Sequence, residues 1–182
     1  MEVGLNEKIE WIKTNPWQSE EILTTENPLS KIPTLITDDG QVLFDSRVIC
    51  EYLDSLHSGN KLIPECGEAR WLVLRLQALA DGILDSGILR LMEGKRSSEQ
   101  QSADWDHMQK NAIERGLDYL ESGISEWKDK LDIGVISVAC ALGWLDFRFP
   151  AEDWRSNRPQ LKSWFEFISQ RPSLAETLPG DI

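Results

Sequence analysis

Cysteine, histidine and positive charge are scarce in this 182-residue chain, and long apolar runs are missing. Its three cysteines, Cys50, Cys66 and Cys140, form no CxxC pair and leave one over, which argues against a disulfide framework. The two histidines, His57 and His107, have no metal-ligand spacing, so no metal cofactor is expected. With 19 Lys and Arg against 31 Asp and Glu, the net charge is −12. A surface so acidic repels a phosphate backbone, and nucleic acid is not an expected partner. A membrane span needs about 20 consecutive apolar residues. The longest mostly apolar stretch, Val135 to Leu145, is interrupted by Ser137, Gly143 and Trp144. The start, Met1-Glu2-Val3-Gly4-Leu5-Asn6, turns polar at once and lacks a basic region followed by an apolar run. The expectation is therefore a cytoplasmic protein that does not engage a membrane.

What the chain does have is core-forming material. Hydrophobic residues make up 41% of it, and eight Trp with five Phe offer large buried areas, which excludes a disordered chain. The texture changes near residue 60. Before it, short β-prone runs are punctuated by Pro and Gly. After it, helical periodicity dominates. Residues 57–67 carry two Gly and a Pro and read as a connection. This sets the expected organisation: a first domain over 1–58, a linker over 59–66, and an all-helical domain over 67–182.

Within the first part, residues 7–13 read as an edge-type strand stopped by Asn15-Pro16, and 18–25 as one or two helical turns. Thr34–Thr37 and Gln41–Phe44 flank Asp38-Asp39-Gly40 as a hairpin. Ser46 to Leu56 places Val48, Ile49, Tyr52, Leu53 and Leu56 on one helix face, with Asp45 and Ser46 as suitable N-caps. The second part predicts helices over 65–92, 103–127, 134–147 and 160–169. The third is apolar nearly all round, so it belongs at the centre of the bundle, capped by Asp132. Tyr52, Tyr119, Cys50 and Cys140 read as core residues. Cys66, in the connection, is the one cysteine worth testing for reactivity.

Two segments carry a more specific signal. Asn27-Pro28-Leu29-Ser30-Lys31-Ile32-Pro33-Thr34-Leu35 resembles the NPxxKVPxL loop of the cytosolic glutathione transferases. Leu43-Phe44-Asp45-Ser46-Arg47-Val48-Ile49-Cys50-Glu51-Tyr52-Leu53 resembles the acid–Ser segment and following helix of the same family. Ala78 to Asp85 and Ala139 to Arg148 look like a bacterial branch of it. The resemblance runs from residue 1 to about residue 180. It implies an α+β thioredoxin-like N-terminal domain, shortened here, followed by the family's all-α helical bundle.

The resemblance also implies a ligand and a chemistry. Ser46, at a helix N-terminus, would bind the γ-glutamyl carboxylate of glutathione. Asp45 would meet its α-amino group. Ile32, before a cis Pro33, would pair its backbone with the cysteinyl residue like an added strand. Lys31 would meet the glycine carboxylate. Read without the family, Asp45-Ser46 is a helix cap and Ile32-Pro33 a loop proline. Asp81 and Asp85 lie one turn apart, either as a solvated face or as a contribution to the cleft of a homodimer. The implied reaction is attack of glutathione thiolate on a small hydrophobic electrophile, with Trp or Phe residues of the bundle walling its pocket. A non-catalytic glutathione-binding or dimerisation module is the alternative, and a cysteine-dependent thiol reductase a weaker one.

Two departures from the family stand out. The family's first strand and most of its first helix are lacking, with Met1 to Leu5 resembling that helix's last turn and Gly4 its C′ residue. The Tyr, Ser or Cys that activates the thiol belongs to that segment, so the catalytic residue is unknown, and an N-terminal truncation of a longer gene is the expectation. The Ser/Thr-x-x-Asp capping box of the central helix is here Asp132 with Val135, which keeps only half of the reciprocal pair.

Overall fold

The computed structural model describes residues 1–15 and 20–180. They divide into two compact units, Met1–Ile63 and Pro64–Gly180. No helix among the described residues is long and apolar enough to cross a membrane.

In the first unit, Gly4 takes a left-handed φ of 70° and its N–H closes a turn on the Met1 carbonyl at 2.9 Å. Leu5 follows as a buried side chain. The strand expected over 7–13 does not form. Asn6–Lys8 is a 3-10 turn, and residues 9–15 run without a ladder. A strand exists only by hydrogen bonding to a neighbour, and the one ladder among the described residues lies elsewhere. Trp11 and Ile12 are accordingly exposed, at 79% and 76%. Of the helical turns expected over 18–25, residues 18 and 19 lie outside the described residues; helix α1 is Glu20–Glu26.

The hairpin forms, although each strand is short. β1 (Leu35–Ile36) pairs antiparallel with β2 (Val42–Leu43), with Leu35 opposite Leu43 and Ile36 opposite Val42. At Thr37 the ladder ends half-made: its N–H donates to the Gln41 carbonyl at 2.9 Å, while the Gln41 N–H turns to the Thr37 hydroxyl at 2.9 Å. Asp38-Asp39-Gly40 then turns the chain, with Gly40 at φ 82° where a side chain would be strained. Helix α2 is Ser46–Ser55, capped by Asp45, whose carboxylate accepts from the Arg47 N–H at 3.1 Å. Of its expected apolar face, Ile49 is buried but Val48 and Leu56 are exposed.

The end of α2 is clasped to the chain that follows. The Asp54 carboxylate, 5% exposed, accepts from Leu62 N–H at 2.8 Å, Ile63 N–H at 3.1 Å and His57 Nε2 at 2.9 Å. The Gly59 N–H donates to His57 Nδ1, which leaves the ring proton on Nε2 facing Asp54. Burial pushes this carboxyl up, but the three donors outweigh it and hold it below the ordinary carboxylate range. The unfolded chain therefore takes up this proton at higher pH than the folded one. The clasp's contribution is complete above about pH 4 and is lost as pH falls through the depressed folded value. Thermal unfolding followed against pH should show the gap between wild type and Asp54→Asn narrowing below about pH 4. A gap independent of pH would assign Asp54 a purely steric role.

The second unit is a helical bundle: α3 (Gly67–Gly94), α4 (Ala103–Gly123), α5 (Ile133–Arg148), α6 (Pro159–Ile168) and a short α7 (Pro172–Ala175). The helix expected over 103–127 stops at Gly123, and its last residues tighten into a 3-10 turn at Ile124–Glu126. α5 is the buried centre, packed mainly on α3. Val135, Val138 and Leu142 have no exposed surface and meet Leu76, Ala80 and Ile83 of α3 with Leu117 and Leu120 of α4 in one core. Full burial of each such side chain contributes about 1.5–3 kcal/mol. The Asp132 carboxylate caps α5, accepting from the Val135 N–H at 3.0 Å. Its reciprocal partner is missing because position 135 is core: an acid there would be buried among aliphatic carbons. Burial also pushes the Asp132 carboxyl above its ordinary range despite the Val135 and Gly134 N–H donors and nearby Lys130.

Long-range polar contacts lock the bundle. The Glu121 carboxylate of α4 accepts from the Gln160 and Leu161 N–H groups at 3.2 and 2.7 Å, capping α6 from a neighbouring helix. The nearly buried guanidinium of Arg158 donates to Asp118 at 2.8 Å, Glu114 at 2.6 Å and the Trp154 carbonyl at 2.9 Å. Arg90, 8% exposed, donates to Asp106 and Glu152 and lies 4.6 Å from the Phe149 ring centre. Tyr119, expected in the core, is instead 48% exposed, and Trp105 and Met108 of α4 also face solvent. Cys140, also expected in the core, is exposed, although the atoms crowded round its sulfur push the thiol up. Cys66 is exposed at the N-cap of α3 and Cys50 is half-buried.

Candidate functional site

The first unit brings the two motif segments to one end of its hairpin. The chain enters β1 from Ile32 and Pro33 at the same end of the antiparallel hairpin at which it leaves β2 for Asp45 and Ser46, next to the Leu35–Leu43 pair. Both segments leave the sheet on that side within about 10 Å of the last pair. The 27–35 loop thus arrives where α2 begins, a juxtaposition that spacing along the chain does not reveal.

The loop is built from inside. Asn27 is 1% exposed, and its carbonyl oxygen Oδ1 accepts from the Leu29 N–H at 3.0 Å. Its amide Nδ2 donates to the Lys31 carbonyl at 3.0 Å and to Thr34 Oγ1 at 3.2 Å. The Thr34 hydroxyl donates to the same Lys31 carbonyl at 2.9 Å. Ser30 turns the chain with φ 51°, unusual for a residue with a side chain, and its N–H is held by the Asn27 carbonyl at 2.8 Å. The Ile32–Pro33 peptide is cis, as the family resemblance implies, and Phe44–Asp45 is also cis. Lys31, Ile32 and Pro33 are all exposed. Among the described residues the Ile32 N–H and C=O have no partner.

At the start of α2, Asp45 and Ser46 are exposed. Asp45 acts as the N-cap, which realises the plainer of its two readings and leaves the other open. The Ser46 N–H has no partner among the described residues, and its hydroxyl sits at a helix start carrying partial positive charge. Chemically, this end of the hairpin offers a free backbone donor–acceptor pair at Ile32, an anion-accepting helix start at Ser46 and a carboxylate beside it. Such a set suits an extended peptide ending in an α-amino acid head. Lys31 adds an exposed ammonium. Asn27 and Thr34 were legible only as motif letters; their hydrogen bonds to the Lys31 carbonyl depend on the folded loop.

Asp81 and Asp85 lie in the second unit on α3, the first half-buried and the second exposed. That unit also has a cavity of about 260 Å³ lined by Arg90, Lys110, Phe149, Glu152 and Trp154 among others. Its charged groups pair with one another: Glu152 takes Arg90 at 2.7 Å and Lys110 at 3.4 Å. Among the described residues no group of three or more His, Cys, Asp or Glu side chains is placed to hold a metal ion.

Comparison with known proteins gives the family. The glutathione S-transferase N-terminal domain matches residues 1–56, and the glutathione S-transferase C-terminal domain matches residues 77–167. An uncharacterized GST-like protein of Escherichia coli (strain K12), YibF, is 35% identical over 173 residues, covering 93% of this chain and 86% of that protein. A glutathione transferase family member from Pseudomonas fluorescens Pf-5, solved with bound glutathione, superposes with a TM-score of 0.93 at 46% identity, covering 99% of this chain and 90% of that one. A glutathione S-transferase from Methylobacterium radiotolerans, in complex with glutathione sulfonate, gives a TM-score of 0.89 at 29% identity, with 99% and 88% covered. The chain belongs to the glutathione S-transferase family, with a thioredoxin-like α+β domain followed by a helical one.

Proposed function

We propose that this chain binds glutathione at the Ile32/Ser46 end of its hairpin and conjugates it to electrophilic small molecules in the cytoplasm, as a homodimer. One observation carries the reading: the exposed, unpartnered backbone pair at Ile32 and the unpartnered helix N-terminus at Ser46 flank the same end of the hairpin. The 46% identical Pseudomonas protein, solved with glutathione and also with S-(propanoic acid)-glutathione, supports the ligand class. In this reading Ile32 pairs with the cysteinyl backbone beside Pro33. Ser46 holds the γ-glutamyl carboxylate, Asp45 the α-amino group and Lys31 the glycine carboxylate. Asp81 and Asp85 would line the cleft of the dimer.

The reaction is addition of sulfur to carbon. The glutathione thiol gives its proton to solvent or a base, the thiolate attacks an electrophilic carbon, and a C–S bond forms. With an aryl halide the halide leaves with its electron pair. A donor hydrogen-bonded to sulfur favours the thiolate near neutral pH, and no residue of this chain is assigned that role. For this reason a second reading stands: a glutathione-binding module without conjugating activity.

Two assays divide these readings. Retention on immobilised glutathione, eluted by free glutathione, is expected for wild type and lost for a Ser46→Pro, Asp45→Ala double variant; equal retention by both would reject the site. Release of chloride from 1-chloro-2,4-dinitrobenzene, dependent on protein and glutathione, is expected of the transferase. Retention without turnover on several electrophiles would leave only the binding module.

A further inference from the structure

The hydrogen bonds inside the 27–34 loop carry a consequence for the ligand. We infer that Asn27 and Thr34 are positioning residues for glutathione: together they fix the plane of the Lys31–Ile32 peptide so that the Ile32 N–H points at the bound tripeptide. The inference rests on the site reading above and adds two residues to it.

A carbonyl oxygen has two lone pairs. That of Lys31 is occupied twice, by Asn27 Nδ2 at 3.0 Å and by Thr34 Oγ1 at 2.9 Å. Asn27 is buried, so both donors pull the carbonyl towards the inside of the loop. The Lys31–Ile32 bond is trans, unlike the one that follows it. In a trans peptide the C=O and the next N–H point in opposite directions. Drawing the Lys31 oxygen inward therefore turns the Ile32 N–H outward, where it has no partner among the described residues. Asn27 cannot rotate freely to release it. Its Oδ1 takes the Leu29 N–H, which settles which end of the amide faces the two oxygens. The donation from Asn27 Nδ2 to Thr34 Oγ1 at 3.2 Å closes the triangle. Without this hold the peptide plane can swing, presenting a carbonyl where the ligand's own carbonyl needs a donor.

The test measures glutathione affinity by calorimetry on the full chain, with circular dichroism as a check on folding. Loss of one neutral hydrogen bond corresponds to roughly a 3–10-fold change in affinity. Thr34→Val, nearly the same shape, should weaken glutathione by about that factor, whereas Thr34→Ser should stay within about twofold of wild type. Asn27→Asp keeps the acceptor for Leu29 but removes the donor, and should weaken binding at least tenfold. In ¹⁵N spectra the Ile32 amide should move on adding glutathione to wild type and move less in Thr34→Val. Should Asn27→Asp not fold, the threonine pair decides. A folded Thr34→Val with wild-type affinity and an unchanged Ile32 shift overturns the inference while leaving the site standing. Absence of glutathione binding by wild type overturns both.

Discussion

Gly134→Ala is expected to destabilise the helical unit by about 3 kcal/mol, lowering its melting temperature by roughly 6–12 °C. Gly134 lies in the first turn of α5, packed directly against the backbone of α3. A Cβ there would stand 2.7 Å from the Val73 carbonyl oxygen, 2.8 Å from the Leu76 Cβ and 3.2 Å from the capping oxygen of Asp132. None of these is the free end of a long side chain, so two helix backbones have to separate. The separation also strains the Asp132–Val135 cap that begins the central helix. The gain in helix propensity from Gly to Ala, at most about 1 kcal/mol, does not offset it. Gly82→Ala is the internal control: it sits mid-helix on α3 with nothing within 4 Å of its Cβ, and should be neutral or slightly stabilising. Thermal unfolding of both variants checks the pair, and equal melting temperatures would contradict the close-approach account.

The second large effect separates two roles of one residue. Asp45→Asn is expected to weaken glutathione about 10–100-fold with almost no change in stability. Asn is as good an N-cap as Asp, so the bond from the Arg47 N–H survives. The negative charge facing the ligand's ammonium does not, and a hydrogen bond between charged groups is worth about 1.5–3 kcal/mol. Asp45→Ala should lose both, adding a cap cost of about 0.5–2 kcal/mol. Calorimetric titration beside thermal unfolding reads the two effects apart. If Asn and wild type bind alike while Ala does not, Asp45 serves as a cap alone.

How much of this was legible beforehand differs between the two units. The bundle helices announce themselves by apolar residues every three or four positions, and the all-round apolar character of 134–147 identified its centre. Periodicity does not say which members of a stripe meet the core. Trp105, Met108 and Tyr119 lie on α4 with Leu117 and Leu120, yet they face solvent. Nor does it reveal contacts between distant residues, such as Glu121 capping α6 or Arg158 reaching Asp118 and Glu114. In the first unit the expected strand over 7–13 shows the converse limit. Alternation marks a segment that can pair, while pairing depends on a neighbour elsewhere in the fold. The hairpin was readable because its turn, Asp38-Asp39-Gly40, is local.

The candidate site was readable as residues but not as an arrangement. Motif order singled out Ile32, Asp45 and Ser46. The antiparallel register supplies what order could not, the convergence of the loop and the α2 start at one end of the hairpin. Asn27 escaped because its partners, four and seven residues on, are set by the folded loop and not by any period.

The most direct measurement is a ¹⁵N titration of the full chain with glutathione. The account predicts saturable shifts concentrated in the amides of residues 31–34 and 45–47, with Ile32 and Ser46 moving most. Shifts confined to other segments, or none at millimolar glutathione, would contradict it.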